Sequence, residues 1–270
     1  VQITAIDSHA HVFTRRLPLA TVRRHAPEHD ATLAEYLALL DGHGLSHGVL
    51  VQPSFLGSDN SFLLDALRAN PQRLRGVAVV EPNIEHDALQ AMDQAGICGI
   101  RLNLVGVPLP DLHGGDWQQL LAQVNALGWH VELHRESRDL ATAGQSLLDA
   151  GCRLVVDHFG RPGGAVHADP GFAWLLRQAA TGRVWVKLSA AYRNWAHNAT
   201  APHEAAQALL QHFGPERLVW GSDWPHTQHR DIVDYGAAHA ALAVWVPDAD
   251  ARAQILCETP AQLFKFKPVQ

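Results

Sequence analysis

The stretch WHVELHRESRDLATAGQSLLDAGCRLVVDHFG, residues 129–160, decides the fold. It opens on a short apolar run, WHVELH (129–134), and closes on another, RLVVDH (153–158). Between them, SRDLATAGQSLLDAG (137–151) has the spacing of an amphipathic helix and stops at a glycine. Both runs end in polar residues, and both are too apolar for a sheet wetted on one face. Run, helix, run is the repeating unit of a parallel sheet covered by helices.

The same alternation extends in both directions. Six more runs are ITAIDSH (3–9), HGVLVQP (47–53), RGVAVV (75–80), CGIRLNL (98–104), VWVKLS (184–189) and RLVWGSD (217–223), eight in all. Helical segments separate them: TLAEYLALLDGHG (32–44), NSFLLDALRANP (60–71), EHDALQAMDQAG (85–96), DWQQLLAQVNALG (116–128), PGFAWLLRQAATG (170–182) and PHEAAQALLQHFG (202–214). The tail after residue 229 reads as further helix, ending around TPAQLF (259–264). Eight strands predict a closed (β/α)8 TIM barrel of the α/β class, one domain over residues 1–270, rather than an open doubly wound sheet. No G-x-G-x-x-G follows any run.

Helix-to-strand links are short, whereas 12–31, 105–115, 159–169 and 190–202 are long. Those four follow strands, the side on which barrels build active sites. The composition, 47% hydrophobic and 18% charged over 270 residues, is that of a globular protein. A net charge of -6 gives no footprint for nucleic acid. Three scattered cysteines fit a reducing compartment, and no apolar span is long enough for a membrane helix, so a cytoplasmic protein is expected. A homodimer is expected only because dimers are the commonest assembly.

Eighteen histidines mean that position, not presence, carries information. His9 and His11 end the first run one residue apart, so on a strand they point the same way. His134 ends the fifth run, His158 the sixth, and Asp223 the eighth. All five fall at the C-terminal mouth of the expected barrel and form one candidate active site. His and Asp suit Zn2+ or a related ion, which would lower the pKa of a bound water; the same set without a metal would bind substrate directly. Asp223 is positioned to take a proton from water and return it to a leaving group. His43, His47, His86, His197, His203, His212 and His239 fall on helices or turns and are expected to be solvated. His25, His29, His113 and His167 lie in long loops as weaker substrate contacts, and His226 is a candidate orienting group.

These motifs together, DSHAHVF (7–13), GIRLNL (99–104), VELH (131–134), VVDHFGRP (155–162), VKLSAAYR (186–193) and VWGSDWPH (219–226), resemble the amidohydrolase superfamily. More narrowly they resemble its amidohydrolase-related group, which contains 2-pyrone-4,6-dicarboxylate hydrolases and sugar lactonases. The resemblance runs from about residue 3 to TPAQLF. It implies a barrel that hydrolyses a lactone ester or a related bond, with Asp223 as general base and His9, His11 and His158 as the mouth histidines. It also implies that Arg101 and Arg161 bind a substrate carboxylate, with Arg193 as a third. The pyrone-dicarboxylate hydrolases have tyrosine where this chain has His134, and they work without a metal. The histidine here restores the ligand set of metal-dependent members: His9, His11, His134 and Asp223, around one divalent Zn or Mn. A metal-bound and a metal-independent site both stay open.

The mouth arginines point to a small anionic lactone as substrate, although Arg101 has an alternative partner in an interior acid such as Glu132. Gln52 and Ser54 are candidate donors to substrate oxygens, and Tyr192 a candidate for polarising a carbonyl. Trp117, Trp195 and Trp224 fall near the mouth and suit a flat substrate. Arg15, Arg16, Arg23 and Arg24 in the first long loop read as solvated, as a partner surface, or as part of a lid. A metal-dependent decarboxylase of a carboxymuconate-type substrate and a lactone isomerase are the alternative activities. Serine-nucleophile chemistry is not indicated, for there is no G-x-S-x-G.

Overall fold

The computed structural model describes residues 2–266, so the ends of the expected 1–270 domain lie outside the described residues. Eight parallel strands run in sequence order: β1 (Ile6–Ala10), β2 (His47–Val51), β3 (Leu74–Ala78), β4 (Ile97–Asn103), β5 (His130–His134), β6 (Arg153–Val156), β7 (Val184–Leu188) and β8 (Leu218–Trp220). Each expected run overlaps one strand. Between them lie α1 (Leu33–Gly42), α2 (Ser61–Ala69), α3 (His86–Gln94), α4 (Gly115–Ala126), α5 (Ser137–Asp149) and α6 (Pro170–Arg177). A short α7 (Tyr192–Trp195), then α8 (Ala201–Phe213), α9 (Tyr235–Trp245), α10 (Ala249–Ala253) and α11 (Thr259–Leu263) complete the described chain. Among the described residues, no helix is long and apolar enough to cross a membrane.

The barrel closes without a regular β8–β1 ladder. β8 stops at Trp220, and the segment after it crosses to β1 through two bonds, Asp223 N–H to the His9 carbonyl and His11 N–H to the Trp224 carbonyl, both 2.8 Å. Buried Asp7 locks this seam by accepting from the Ser222 amide at 2.8 Å and its hydroxyl at 2.6 Å. Gly221 is required there, since a Cβ would stand 2.5 Å from the His9 Cβ. The seam therefore delivers His9, His11 and Asp223 to one place.

Strand alternation sorts the side chains. Leu50, Ile100, Leu133, Val156, Val186 and Trp220 face outward and pack under helix residues such as Leu40, Leu67 and Leu147. Ile6, Val49, Val51, Val77, Val155 and Val219 point inward, where Phe264 and Phe266 cap the N-terminal end of the barrel. His47, expected to be solvated, is instead buried as the first residue of β2, edge-on to Phe266 at 4.9 Å. His43, His203 and His239 are half-buried, and His86, His197 and His212 are exposed as expected.

Candidate active site

Site chemistry begins one layer below the mouth. In the middle of the barrel the inward positions are occupied by charge: Arg101 on β4, Glu132 on β5, Asp157 after β6 and Lys187 on β7, each almost fully buried. Arg101 Nε lies 2.9 Å from Asp157 Oδ2. Lys187 Nζ lies 2.5 Å from Glu132 Oε1 and 3.3 Å from Asp157 Oδ1. Two cations and two carboxylates balance, which is the condition for burying them. Burial alone would raise the Asp157 pKa, but Lys187 and Arg101 outweigh it and hold it at about 2. Arg101 thus does have an interior acid partner, and it is Asp157, not Glu132.

Above this layer sit the histidines. His9 Nε2 is 3.2 Å from His11 Nε2 and 3.6 Å from Asp223 Oδ1. His11 Nε2 is 3.7 Å and His158 Nε2 4.0 Å from that same oxygen. The other carboxylate oxygen, Oδ2, accepts from Tyr192 Oη at 2.5 Å and Arg193 Nε at 2.8 Å. Burial raises the Asp223 pKa; the Arg193 guanidinium beside it outweighs that and holds it well below the usual carboxylate range. Burial pushes His158 down to about 3 and His9 and His134 well below their ordinary value, so all three are neutral at pH 7.

Backbone geometry at these residues is unusual. His158 and Asp223 adopt φ of 52° and 58°, the left-handed region that non-glycine residues avoid at a cost of about 1–3 kcal/mol. Each is pinned: the His158 carbonyl accepts from Asn194 Nδ2 at 2.9 Å, and Asp223 is tied across the seam to His9. These turns aim inward two side chains that lie beyond the ends of their strands.

A small open cleft of about 60 Å3 lies over the site. His11, His134, His158, Asp223, Arg101, Arg193 and Ser54 line it. Arg24 and His25 of the first long loop also line it, so Arg24 is not the bystander the sequence suggested. Arg24 reaches across to donate to Asn103 Oδ1 at 2.9 Å. Arg161 places Nη1 3.2 Å from His134 Nε2, while Arg101 Nη2 faces the other nitrogen, Nδ1, at 3.1 Å. Among the described residues, neither Arg24 nor Arg161 has a carboxylate within 4.0 Å, unlike Arg101 and Arg193.

Other expected residues fall elsewhere. Gln52 braces its own loop, donating to the carbonyls of Gly57 and Asp59. Tyr192 faces Asp223. Trp195 packs edge-on against Phe159, Trp224 stacks on Tyr36, and Trp117 packs against the outer core, so none of the three lines the cleft. His113 and His167 are exposed outside it, while His29 lines a neighbouring recess. His226 is buried beside the seam. Sequence reasoning missed Lys187 and Asp157, and offered Glu132 only as a partner for Arg101. The signal was present: a charged residue interrupts each apolar run, and Glu132 shares the inward parity of His134.

His9, His11 and Asp223 have donor atoms within 4.8 Å of one another, a spacing that could hold a metal ion. His134, expected as a further ligand, is not in that group, and both of its ring nitrogens face arginines.

A family model described as amidohydrolase matches residues 6–266. The 2-pyrone-4,6-dicarboxylate hydrolase of Comamonas testosteroni is 31% identical, over 96% of this chain and 90% of its own. The 4-sulfomuconolactone hydrolase of Hydrogenophaga intermedia is 28% identical, over 96% and 88%. A crystal structure from Pseudomonas putida, assigned as a 2-pyrone-4,6-dicarboxylic acid hydrolase, superposes with a TM-score of 0.94 at 46% identity, covering 100% of both chains.

Proposed function

The chain belongs to the amidohydrolase family, and on that premise we propose that it hydrolyses the ester bond of a small lactone carrying two anionic groups. The observation that supports this most is the charge inventory of the cleft. Arg101 and Arg193 are each neutralised by an aspartate, whereas Arg24 and Arg161 have no acid partner among the described residues. One such guanidinium lining the cleft, Arg24, and a second bordering it through His134, Arg161, favour two carboxylates, or a carboxylate and a sulfonate. The contacts around His134 agree. A neutral imidazole accepts at only one nitrogen, yet guanidinium groups face both. Arg101 is fixed by Asp157, so Arg161 is the group free to turn to a ligand. The names of the two curated relatives, a dicarboxylate hydrolase and a sulfomuconolactone hydrolase, are in keeping with this reading.

In this mechanism the arginines seat the lactone with its carbonyl carbon over Asp223 Oδ1. A water there loses a proton to Asp223 as its oxygen bonds to the carbonyl carbon. His158, which lines the cleft, faces the developing oxyanion. The tetrahedral species collapses, the acyl C–O bond breaks, and Asp223 returns the proton to the leaving ring oxygen. The sum is ester plus water to acid plus alcohol or enol, and the new acid ionises, releasing one proton per turnover at pH 7. A carboxylate of such low pKa is a weak base. Its contribution rests on placement, and a substrate anion that draws Arg193 toward itself would raise its basicity.

The donor set does not fit a resident Zn or Mn ion, despite its spacing, because His9 is hydrogen-bonded from behind by an ammonium (Lys187 Nζ to Nδ1, 2.9 Å). No step here is therefore routed through a metal. Cys98, Cys152 and Cys257 are unpaired thiols, and we place the enzyme in the cytoplasm, where thiols stay reduced. We assign a homodimer, which light scattering on the eluting protein checks. The activity itself is tested by supplying 2-pyrone-4,6-dicarboxylate and recording proton release; a product of unchanged mass would instead identify an isomerase.

A further inference from the structure

We propose that Lys187 is a positioning residue that fixes His9 as the tautomer carrying its proton on Nε2. The active-site face of His9 is then a hydrogen-bond donor and not a metal ligand. Lys187 Nζ is fully buried and has three neighbours: Glu132 Oε1 at 2.5 Å, His9 Nδ1 at 2.9 Å and Asp157 Oδ1 at 3.3 Å. An ammonium has donors and no acceptor, so it donates to Glu132 and to His9, while Asp157 Oδ1 contributes an ion-pair contact. His9 Nδ1 is therefore an acceptor. A neutral imidazole with an accepting Nδ1 must hold its proton on Nε2.

The next two contacts admit the same assignment. His11 Nδ1 lies 2.8 Å from the Val51 carbonyl, which can only accept, so His11 carries its proton on Nδ1. Its Nε2 is then an acceptor, 3.2 Å from the donating Nε2 of His9. One consistent run of donors leads from Lys187 through His9 and His11 to the backbone of β2. A metal-binding histidine needs the opposite arrangement behind it: a carboxylate or carbonyl taking the distal proton, leaving the other nitrogen's lone pair for the ion. His11 satisfies that requirement and His9 does not. The spacing of His9, His11 and Asp223 admits a cation, while the proton map set by Lys187 opposes it.

This leaves the middle layer of the barrel with a second task besides charge balance. Its ammonium fixes, through His9, the N–H that His11 Nε2 accepts and so the placing of His11 beside Asp223. The assignment stands on the buried contacts alone and holds whether or not the substrate is the lactone proposed above.

The test is a two-bond ¹H–¹⁵N correlation spectrum of histidine-labelled protein, with His9 assigned by comparison with His9→Gln. Each tautomer gives a distinct pair of ring-nitrogen shifts. The expected result is an unprotonated Nδ1 and protonated Nε2 on His9, the reverse on His11, and no one-to-one change when equimolar zinc is added. A proton on His9 Nδ1 in the wild-type protein, or saturable stoichiometric zinc binding with loss of the His9 Nε2 proton, would overturn the proposal. The charge-balanced double variant Lys187→Met, Glu132→Leu removes the ammonium. If it folds, the Nε2-protonated preference of His9 is expected to be lost, and retention of that preference counts against Lys187. If it does not fold, the wild-type spectrum decides.

Discussion

Arg193 holds Oδ2 of Asp223 at 2.8 Å and leaves Oδ1 to the three histidines. The carboxylate is thereby divided: one oxygen anchors it and the other faces the cleft. Tyr192, its neighbour on α7, grips the anchored oxygen from the same side. Both residues were expected to touch substrate; both hold Asp223, and Arg193 also lines the cleft. Tyr192→Phe is predicted to lower kcat while leaving KM nearly unchanged. One hydrogen bond to a charged group is worth about 1.5–3 kcal/mol, which corresponds to roughly ten- to hundredfold in rate. A large rise in KM with kcat intact would return Tyr192 to the role of substrate contact.

Arg24 lines the cleft and Arg161 borders it through His134, both without acid partners among the described residues, so their removal is expected to act on binding. For Arg24→Ala and Arg161→Ala, KM for a dianionic lactone is expected to rise roughly ten- to hundredfold, the worth of a charge-assisted hydrogen bond. For a neutral lactone the same variants should differ little from wild type. Steady-state kinetics on both substrates check this, and equal losses on the two would mean that the arginines only shape the loop.

The neutral histidines set an acid limit on stability. His158, with a pKa of about 3, and His9 and His134, also depressed, bind fewer protons folded than unfolded below pH 6.5. Their contribution is fully present above pH 6.5 and is lost as pH falls toward their folded values. Each costs at most about 1.4 kcal/mol per pH unit in that window. Asp157, held at about 2, adds a further loss only below pH 4. Urea midpoints should therefore fall steadily between pH 6.5 and pH 4.5, and a midpoint constant over that range would contradict the assignment.

Gly221 leaves room for His9. A methyl group there would lie 2.5 Å from the His9 Cβ and 2.9 Å from its backbone nitrogen, and neither can yield without opening the seam. Gly221→Ala is predicted to lower stability by about 1–3 kcal/mol, the usual cost of overpacking, and to lower kcat as well. Thermal unfolding and a single-turnover assay read the two effects separately.

The barrel was legible in the sequence because closure needs only local signals. Runs of Val, Ile and Leu such as RLVVDH are bounded by glycines and amphipathic helices, and parallel strands buried on both faces have no other source of burial. The mouth was legible through His9, His11, His134, His158 and Asp223, which fall at the ends of the first, fifth, sixth and eighth runs. The layer beneath was not. Glu132 and Lys187 each appear in sequence as one charge in an apolar strand, and only their meeting at 2.5 Å shows why burial is tolerated. Arg24 sits in a loop whose reach across to Asn103 has no local signature. The tryptophans misled for a related reason: a large ring near the mouth packs as readily against Phe159 or Tyr36 as against a ligand.

The most direct test of the account is hydrolysis of 2-pyrone-4,6-dicarboxylate in ¹⁸O-labelled water by wild type and Asp223→Asn, followed by proton release and product mass. The account predicts one proton and one ¹⁸O per turnover for wild type, and a kcat reduced at least about a hundredfold in a folded Asp223→Asn. Undiminished turnover in that variant, or a wild-type product without the label, would contradict it.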